Sequence, residues 1–219
     1  MHDIRKGAPH LVGVSKGKPE TKFLQSGQTS RTILCHAHEK QTQAGDDYAI
    51  RFCRRYSSQA KITDDGLAAE ISNPHPRRLT MFVHATIWRH AAHFVSHGKP
   101  SALGAHFDLV SDVVFRGAQP LEAFVIDPER LSGGKRAQLA IAPVPWLFAG
   151  RQMLRMEIGG LSFVMNLSDE PVAEPFNLMS TENDPMLVLK LRSGELTDDP
   201  MIREIAAANI SAEWERRQS

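Results

Sequence analysis

The sequence predicts an α+β fold, because helix-like and strand-like patterns occupy separate parts of the chain. Apolar residues recur at helical spacing over residues 78–97 and, more briefly, over residues 106–117. From residue 137 the period changes to two, and Gly159-Gly160 separates two such runs in the manner of a tight hairpin turn. We expect a small irregular ββα-like N-terminal segment, a helical pair, an antiparallel sheet and a C-terminal helix.

The first helix of the pair has the clearest pattern in the chain. In RLTMFVHATIWRHAAHFVSH, residues 78–97, the side chains of Val83, Ile87 and Ala91 fall on one apolar face at about 100° per residue. Gly98 and Pro100 follow, as expected where a helix ends. The second helix, HFDLVSDVVFRG, is shorter and closes at Gly117.

The predicted strands are apolar runs bounded by turn residues. They are EAFVID, AQLAIAPVPWLF, the two halves of QMLRMEIGGLSFVMNL, and MLVLKLR. The final segment, TDDPMIREIAAANISAEWERR, predicts the C-terminal helix, with Asp199 as its cap and Pro200 at its first position.

The N-terminal segment differs from the rest in charge and in glycine and proline content. Residues 1–61 contain eleven Lys or Arg and five Asp or Glu, a balance of +6 in a chain whose net charge is +1. A basic segment of this kind suits a polyanionic partner. We predict two units, a basic knuckle-like segment over 1–60 and an α+β domain over 75–219. Between Ser57 and Pro76 we expect a polar linker, and after Cys35 one or two short helices broken near Gly45.

Composition excludes several classes of protein. A chain of 219 residues with 42% hydrophobic residues can bury a core, and it has too ordinary a charged fraction for a disordered protein. Two cysteines, Cys35 and Cys53, do not make a disulfide framework. The sequence shows neither a secretory signal nor an apolar run long enough to cross a bilayer, so we expect a cytoplasmic protein without a membrane partner.

Cys35-x-x-His38 is the strongest candidate for a metal site. Two residues between the ligands allow both side chains of one turn to reach a single zinc ion. A tetrahedral structural site needs two further ligands, for which His2, His36 and Cys53 are candidates. The alternative is a buried cysteine beside a solvated histidine.

The same stretch carries a family resemblance. TILCHAHEKQTQAGDDYA, residues 32–49, with QSGQ just before it, resembles the second half of an uncharacterised group of bacterial HNH-endonuclease-like proteins. In that group a first C-x-x-C and a HIVP.S-type segment precede a second knuckle of the form LLC..CE......DYA. The similarity extends to FVHATIWRHA with its Trp88-Arg89 pair, to Leu103-Gly104 and to LRMEIGGLSFVMNL.

The resemblance implies site residues and also shows departures from the family pattern. PHLVGVS aligns with HIVP.S, which would make His10 the histidine that activates water beside a divalent cation. Glu39, Asp46 and Asp47 would then be candidate cation ligands. No C-x-x-C precedes His10 in this sequence, Pro9 stands before it, and His38 replaces the second cysteine of the knuckle. Zinc and magnesium are the candidate ions.

Two further motifs in the sequence contain side chains that can bind ions. His90, His93 and His97 lie within an arc of about 60° on the long helix, so His93 and His97 could chelate one cation, with His84 or His106 nearby. Surface or core-edge imidazoles bonded to carbonyls or water are the alternative. SGGKRAQ lacks the spacing of a phosphate-binding loop and predicts a basic turn.

These observations favour an HNH-like protein that binds nucleic acid and has a degenerate metal site. Contact with DNA or RNA would be made by basic residues of the N-terminal segment, namely Lys22, Arg51, Arg54 and Arg55. If it is an active enzyme, it is a metal-dependent HNH-type endonuclease using His10, Glu39 and Asp47. The alternative is a non-catalytic interaction protein, or a subunit of a larger nucleoprotein assembly whose partner takes over the ordering role of zinc.

Overall fold

The computed structural model describes most of the chain between residues 33 and 191, together with two short N-terminal strands. The described residues are 11–13, 22–24, 33–129, 131–132, 135–136, 140–148, 150–168, 170–173 and 176–191. The predicted C-terminal helix lies outside these ranges. Among the described residues, no helix is both long enough and apolar enough to cross a membrane.

Helices in the described part are α1 (His36–Gln59), α2 (Pro76–Ser96) and α3 (Phe107–Arg116). The predicted helical pair is confirmed as α2 and α3. Pro76 occupies the first turn of α2, where its missing N–H costs no hydrogen bond. Gly117 ends α3 in the left-handed conformation at φ 72°, which a glycine adopts without strain.

Seven of the described strands form one sheet, called here the main sheet. Its strands are β3 (Lys61–Ile62), β4 (Ala68–Ile71), β5 (Ala123–Asp127), β8 (Ala140–Phe148), β9 (Arg151–Ile158), β10 (Leu161–Asn166) and β11 (Met186–Lys190). They are ordered β3-β4-β11-β5-β10-β9-β8. The predicted strands are therefore confirmed, and the Gly159-Gly160 turn joins β9 to β10 as expected, with both glycines at positive φ.

The expectation of an antiparallel sheet is corrected at one place. β5 and β11 run parallel, with Leu189 opposite Ile126 and Lys190 opposite Asp127. Because β10 and β11 lie on opposite sides of β5 in the strand order, the chain must cross β5 between these two strands. The crossing segment includes a 3-10 turn at Phe176–Met179.

The polar linker predicted between Ser57 and Pro76 is wrong. Residues 61–71 contain β3 and β4, an antiparallel hairpin at the edge of the main sheet. Its turn is held by Asp65, whose Oδ1 accepts hydrogen bonds from the Thr63 hydroxyl at 2.6 Å and from the Leu67 amide at 2.9 Å. Short strands with alternate burial have little apolar content, so the sequence did not distinguish them from a linker.

The helices cover one face of the main sheet, called here the helix face. Its core combines residues of α1, α2 and α3 with alternate residues of the strands, among them Phe52, Leu79, Val125 and Phe163. The opposite face, called the second face, has its own apolar cluster, including Phe124, Met153 and Val164. Nearly every residue of β5, β9 and β10 is buried, because both faces of the main sheet are covered by apolar side chains.

The N-terminal strands precede α1 in a ββα order. β1 (Leu11–Gly13) and β2 (Lys22–Leu24) pair antiparallel, with Val12 opposite Phe23. β1 lies beside the edge strand β8. Ala49, Phe52 and Tyr56 of α1 share the core of the helix face with residues after 75. The division into units over 1–60 and 75–219 stays a prediction. Two further strands of two residues each, β6 (Leu131–Ser132) and β7 (Lys135–Arg136), pair with each other and complete the described strands.

Candidate nucleic-acid interface

Helix α1 runs unbroken through the glycine at which the sequence predicted a break. Gly45 is buried, and a Cβ built on it would lie 3.1 Å from the carbonyl oxygen of Arg78 and 3.1 Å from the amide nitrogen of Phe82. Gly45 is therefore a point of close approach between α1 and α2, and the expectation of a helix break there is wrong. A glycine inside a helix costs about 0.5–1 kcal/mol in propensity, which this close contact offsets.

A polar clamp next to Gly45 fixes α1 on α2. The Arg89 guanidinium of α2 donates to both carboxylate oxygens of Asp46, at 3.1 and 2.7 Å, and also to the Thr42 hydroxyl. A bidentate arginine–carboxylate pair sets orientation as well as distance. Asp46, a candidate cation ligand in the sequence, is thus occupied by Arg89.

The amino-terminal corner of α1 brings Cys35 and His38 together, as the two-residue gap predicted. Cys35 is the residue before the first turn, and its Sγ lies 3.3 Å from His38 Nδ1. The imidazole of His38 packs edge-on against Phe115 of α3, with ring centroids 4.8 Å apart. Both Cys35 and His38 are exposed to solvent.

The structure does not bring Cys53 to this corner. Cys53 lies eighteen residues further along the same helix, about 27 Å away at 1.5 Å per residue. Its thiol contacts the carbonyl oxygen of Ile158 at 3.5 Å and packs under Gly159 at the β9–β10 turn. Over the described ranges, no group of three or more His, Cys, Asp or Glu is arranged to hold a metal ion. Cys35 and His38 stay a predicted ligand pair, and His2 lies outside the described residues.

The residues predicted for catalysis do not converge where they are described. Glu39, in the first turn of α1, and Asp47 are both exposed and lie eight residues apart, about 12 Å along the helix. Ligands of one hard cation lie within about 2.6 Å of it, so this axial separation does not favour a shared ion, and the role of the two carboxylates stays a prediction. His10 lies outside the described residues, and its catalytic role stays a prediction.

Three of the predicted basic residues, Arg51, Arg54 and Arg55, lie on one exposed face of α1. Lys40 shares this face, which is called here the basic face. The buried side of the same helix carries Ala49, Phe52 and Tyr56, so the arginines are directed to solvent by the apolar residues between them. Asp47 lies in the same stripe. Lys22 lies in β2, and its side chain is outside the described part.

The histidines of α2 divide into one buried and several exposed or half-buried residues. His84 is buried and has both ring nitrogens bonded: Nδ1 donates to the carbonyl oxygen of Thr80 at 2.8 Å, and Nε2 accepts from the Leu121 amide at 3.0 Å. Burial lowers the pKa of His84 to about 4. It is therefore a neutral structural residue. His93 and His97 are exposed, and His90 and His106 are half-buried.

A buried polar cluster on the second face was not predicted. Arg155 of β9 donates to Glu157 Oε1 at 2.5 Å and, through Nε, to the Ser162 hydroxyl at 3.1 Å. Its guanidinium carbon lies 5.2 Å from the centroid of the Trp146 ring. The signal in the sequence was the pair Arg155-x-Glu157 in a strand, because a spacing of two puts both charges on one face.

Comparison of the chain with models of protein families, with curated proteins and with solved structures finds no match.

Proposed function

We propose that the chain binds nucleic acid through the basic face of α1, without cleaving it. The observation that carries the proposal is the division of α1 into an anchored apolar side and an exposed side bearing Arg51, Arg54 and Arg55. Arginine side chains on a fixed helix can contact successive phosphates while losing little backbone entropy on binding.

The anchoring of α1 supports this assignment. The clamp of Asp46 with Arg89 and the close approach at Gly45 hold the middle of the helix, and the Tyr48 hydroxyl accepts a hydrogen bond from the His75 amide at 2.8 Å. The arginines follow within two turns of these contacts. The charge balance of residues 1–61 adds to the attraction of a polyanion.

The test is a salt series of binding to a labelled DNA duplex and to single-stranded RNA, followed by fluorescence anisotropy. Arg54→Gln/Arg55→Gln should reduce the slope of log K against log salt by about 2 for duplex DNA, since each phosphate contact contributes about 0.9. The matched control, Lys99→Gln/Arg116→Gln, removes two exposed cations from the ends of α2 and α3 and should leave the slope unchanged. Equal losses in both pairs would show attraction by net charge alone and would refute a defined interface.

Asp47 separates the binding hypothesis from the nuclease hypothesis. Asp47 is an exposed anion within the basic face, so Asp47→Asn should tighten nucleic-acid binding by removing repulsion. If Asp47 is instead a metal ligand of an HNH-type endonuclease, Asp47→Asn should abolish magnesium-dependent nicking of a plasmid, as should His10→Ala. If the unaltered protein nicks the plasmid and neither variant does, the nuclease hypothesis replaces our proposal.

A protein-interaction role is the second candidate, favoured by exposed apolar residues at the sheet edge. Ile62 and Leu67, in the β3–β4 hairpin, expose 51% and 60% of their surface. Sedimentation velocity of the unaltered chain and of Ile62→Ser/Leu67→Ser would detect self-association through this hairpin. This role is favoured if the unaltered chain self-associates independently of salt and the double variant does not. The chain should then also show no binding of nucleic acid.

A further inference from the structure

The last turn of α2 places two exposed imidazoles side by side. His93 and His97 are four residues apart, and their ring centroids are separated by 4.4 Å with an angle of 50° between the planes. Residues at i and i+4 lie above one another on a helix, which is the spacing by which two histidines bind one zinc ion. Neither ring belongs to the basic face of α1.

A hydrogen bond fixes the tautomer of His97. Its Nδ1 donates to the carbonyl oxygen of His93 at 2.7 Å, while the backbone amide of His97 bonds to Phe94 instead. With the proton held on Nδ1, the lone pair of Nε2 is available to a ligand. Metal-binding histidines in proteins commonly donate their second ring N–H to a backbone carbonyl in this way.

The position at the end of the helix adds favourable electrostatics. α2 ends at Ser96, and the carbonyl groups of its last turn give this end a partial negative charge that attracts cations. Burial and then the neighbouring His93 lower the pKa of His90, which lies one turn earlier.

From this geometry we infer that His93 and His97 form a chelating site for a borderline divalent transition-metal ion such as Zn²⁺ or Ni²⁺. Imidazole nitrogen suits these ions, whereas Mg²⁺ prefers oxygen ligands. Within the described residues no third protein ligand joins the pair. The site is separate from the corner at Cys35 and from the proposed nucleic-acid interface.

The test is a titration of the full, tag-free chain with Zn²⁺, followed by the amide NMR shifts of Ser96, His97 and Gly98. We expect saturable shifts at these amides, and none on adding Mg²⁺. His93→Gln and His97→Gln should each weaken the binding by at least about 10-fold. Removing a residue that only hydrogen-bonds to a metal ligand already weakens metal binding by about 10- to 100-fold.

His106→Gln is the matched control, because it removes a half-buried imidazole from the turn before α3 and should leave the Zn²⁺ affinity at residues 96–98 unchanged. Shifts at residues 35–38 report separately on the Cys35–His38 corner. If Zn²⁺ leaves the amides of residues 96–98 unshifted, or if both glutamine variants bind as tightly as the unaltered chain, His97 serves only as a helix cap and the inference is refuted.

Discussion

The two faces of the main sheet are both buried, but they differ in the polar groups that they bury. Fully buried polar side chains that the helices contribute to the helix face are neutral, such as Thr80, which bonds to Thr181 at 2.8 Å, and His84. A buried carboxylate on this face, Asp127, lies at the end of β5 and accepts a hydrogen bond from the Glu129 amide at 2.9 Å. The second face holds a charged pair, Arg155 with Glu157, whose side chains are 10% and 1% exposed. Opposite faces of the same strand, β9, therefore carry Leu154 and Met156 on one side and this ion pair on the other.

This difference shows that the alternation of apolar and polar residues along a strand does not by itself indicate which face of the sheet is exposed to water. In an exposed sheet, the Arg155 side of β9 would be the solvent side, because charges normally remain hydrated. Here the charges are covered and satisfied by partners on the same face, including Ser162 and the ring of Trp146. Burial of such a pair stabilises little by itself, yet the loss of one member is costly.

Removing one charge of this pair should give the largest loss of stability. We expect Glu157→Ala to lower the free energy of unfolding by about 3–5 kcal/mol, because the Arg155 guanidinium stays buried without the carboxylate to which it donates. The double variant Arg155→Met/Glu157→Leu should recover most of this loss, since it removes both charges and keeps apolar volume. Urea unfolding followed by circular dichroism measures both.

The surface pair Arg151–Glu170 provides the matched control for this experiment. Its N–O distance is 3.2 Å, but the Glu170 side chain is 80% exposed, so Glu170→Gln should cost at most about 1 kcal/mol. If Glu157→Ala is no more destabilising than Glu170→Gln, the Arg155–Glu157 pair is solvated and the contrast between the two faces disappears.

Acid should weaken the helix face through His84. The unfolded chain binds a proton near pH 6.5, whereas the folded chain does so only near pH 4, because burial lowers the pKa of His84 to about 4. Between these values the unfolded state holds more protons, so stability is complete above pH 6.5 and falls as the pH decreases, by up to about 3 kcal/mol. The free energy of unfolding at pH 7.5, 6, 5 and 4 measures this loss.

The variant His84→Gln isolates the contribution of this residue. It should reduce stability at pH 7.5, because the bonds to Thr80 and Leu121 change, but it should flatten the decline between pH 6.5 and 4. His106→Gln should keep the steeper decline of the unaltered chain. A decline that is identical in all three proteins would mean that carboxylates alone cause the acid lability.

The elements with strong periodicity could be predicted from the sequence, and those set by distant contacts could not. α2, α3 and the β9–β10 hairpin follow from local apolar spacing and from turn glycines. The parallel pairing of β5 with β11 depends on a crossing made by the chain between β10 and β11, and local patterns contain no information about it.

The candidate site shows the same limit at the level of side chains. Cys35 and His38 meet within a single turn, so their spacing was sufficient to predict the contact. Glu39 and Asp47 were grouped on the family resemblance, but a continuous helix separates them along its axis. The continuity of α1 could not be recognised without the contact of α2 at Gly45.

Gly45 therefore gives the smallest but most direct test of how the helix face is assembled. Gly45→Ala should destabilise by about 1 kcal/mol: the added methyl group must displace the backbone of α2, at a typical cost of 1–3 kcal/mol, and better helix propensity returns about 0.5–1 kcal/mol. Gln43→Ala, at an exposed position of the same helix, should stay within about 0.5 kcal/mol. If Gly45→Ala instead stabilises the chain, as it would in an isolated helix, α1 and α2 are not in contact there, and the rigid support that we assign to the basic face is absent.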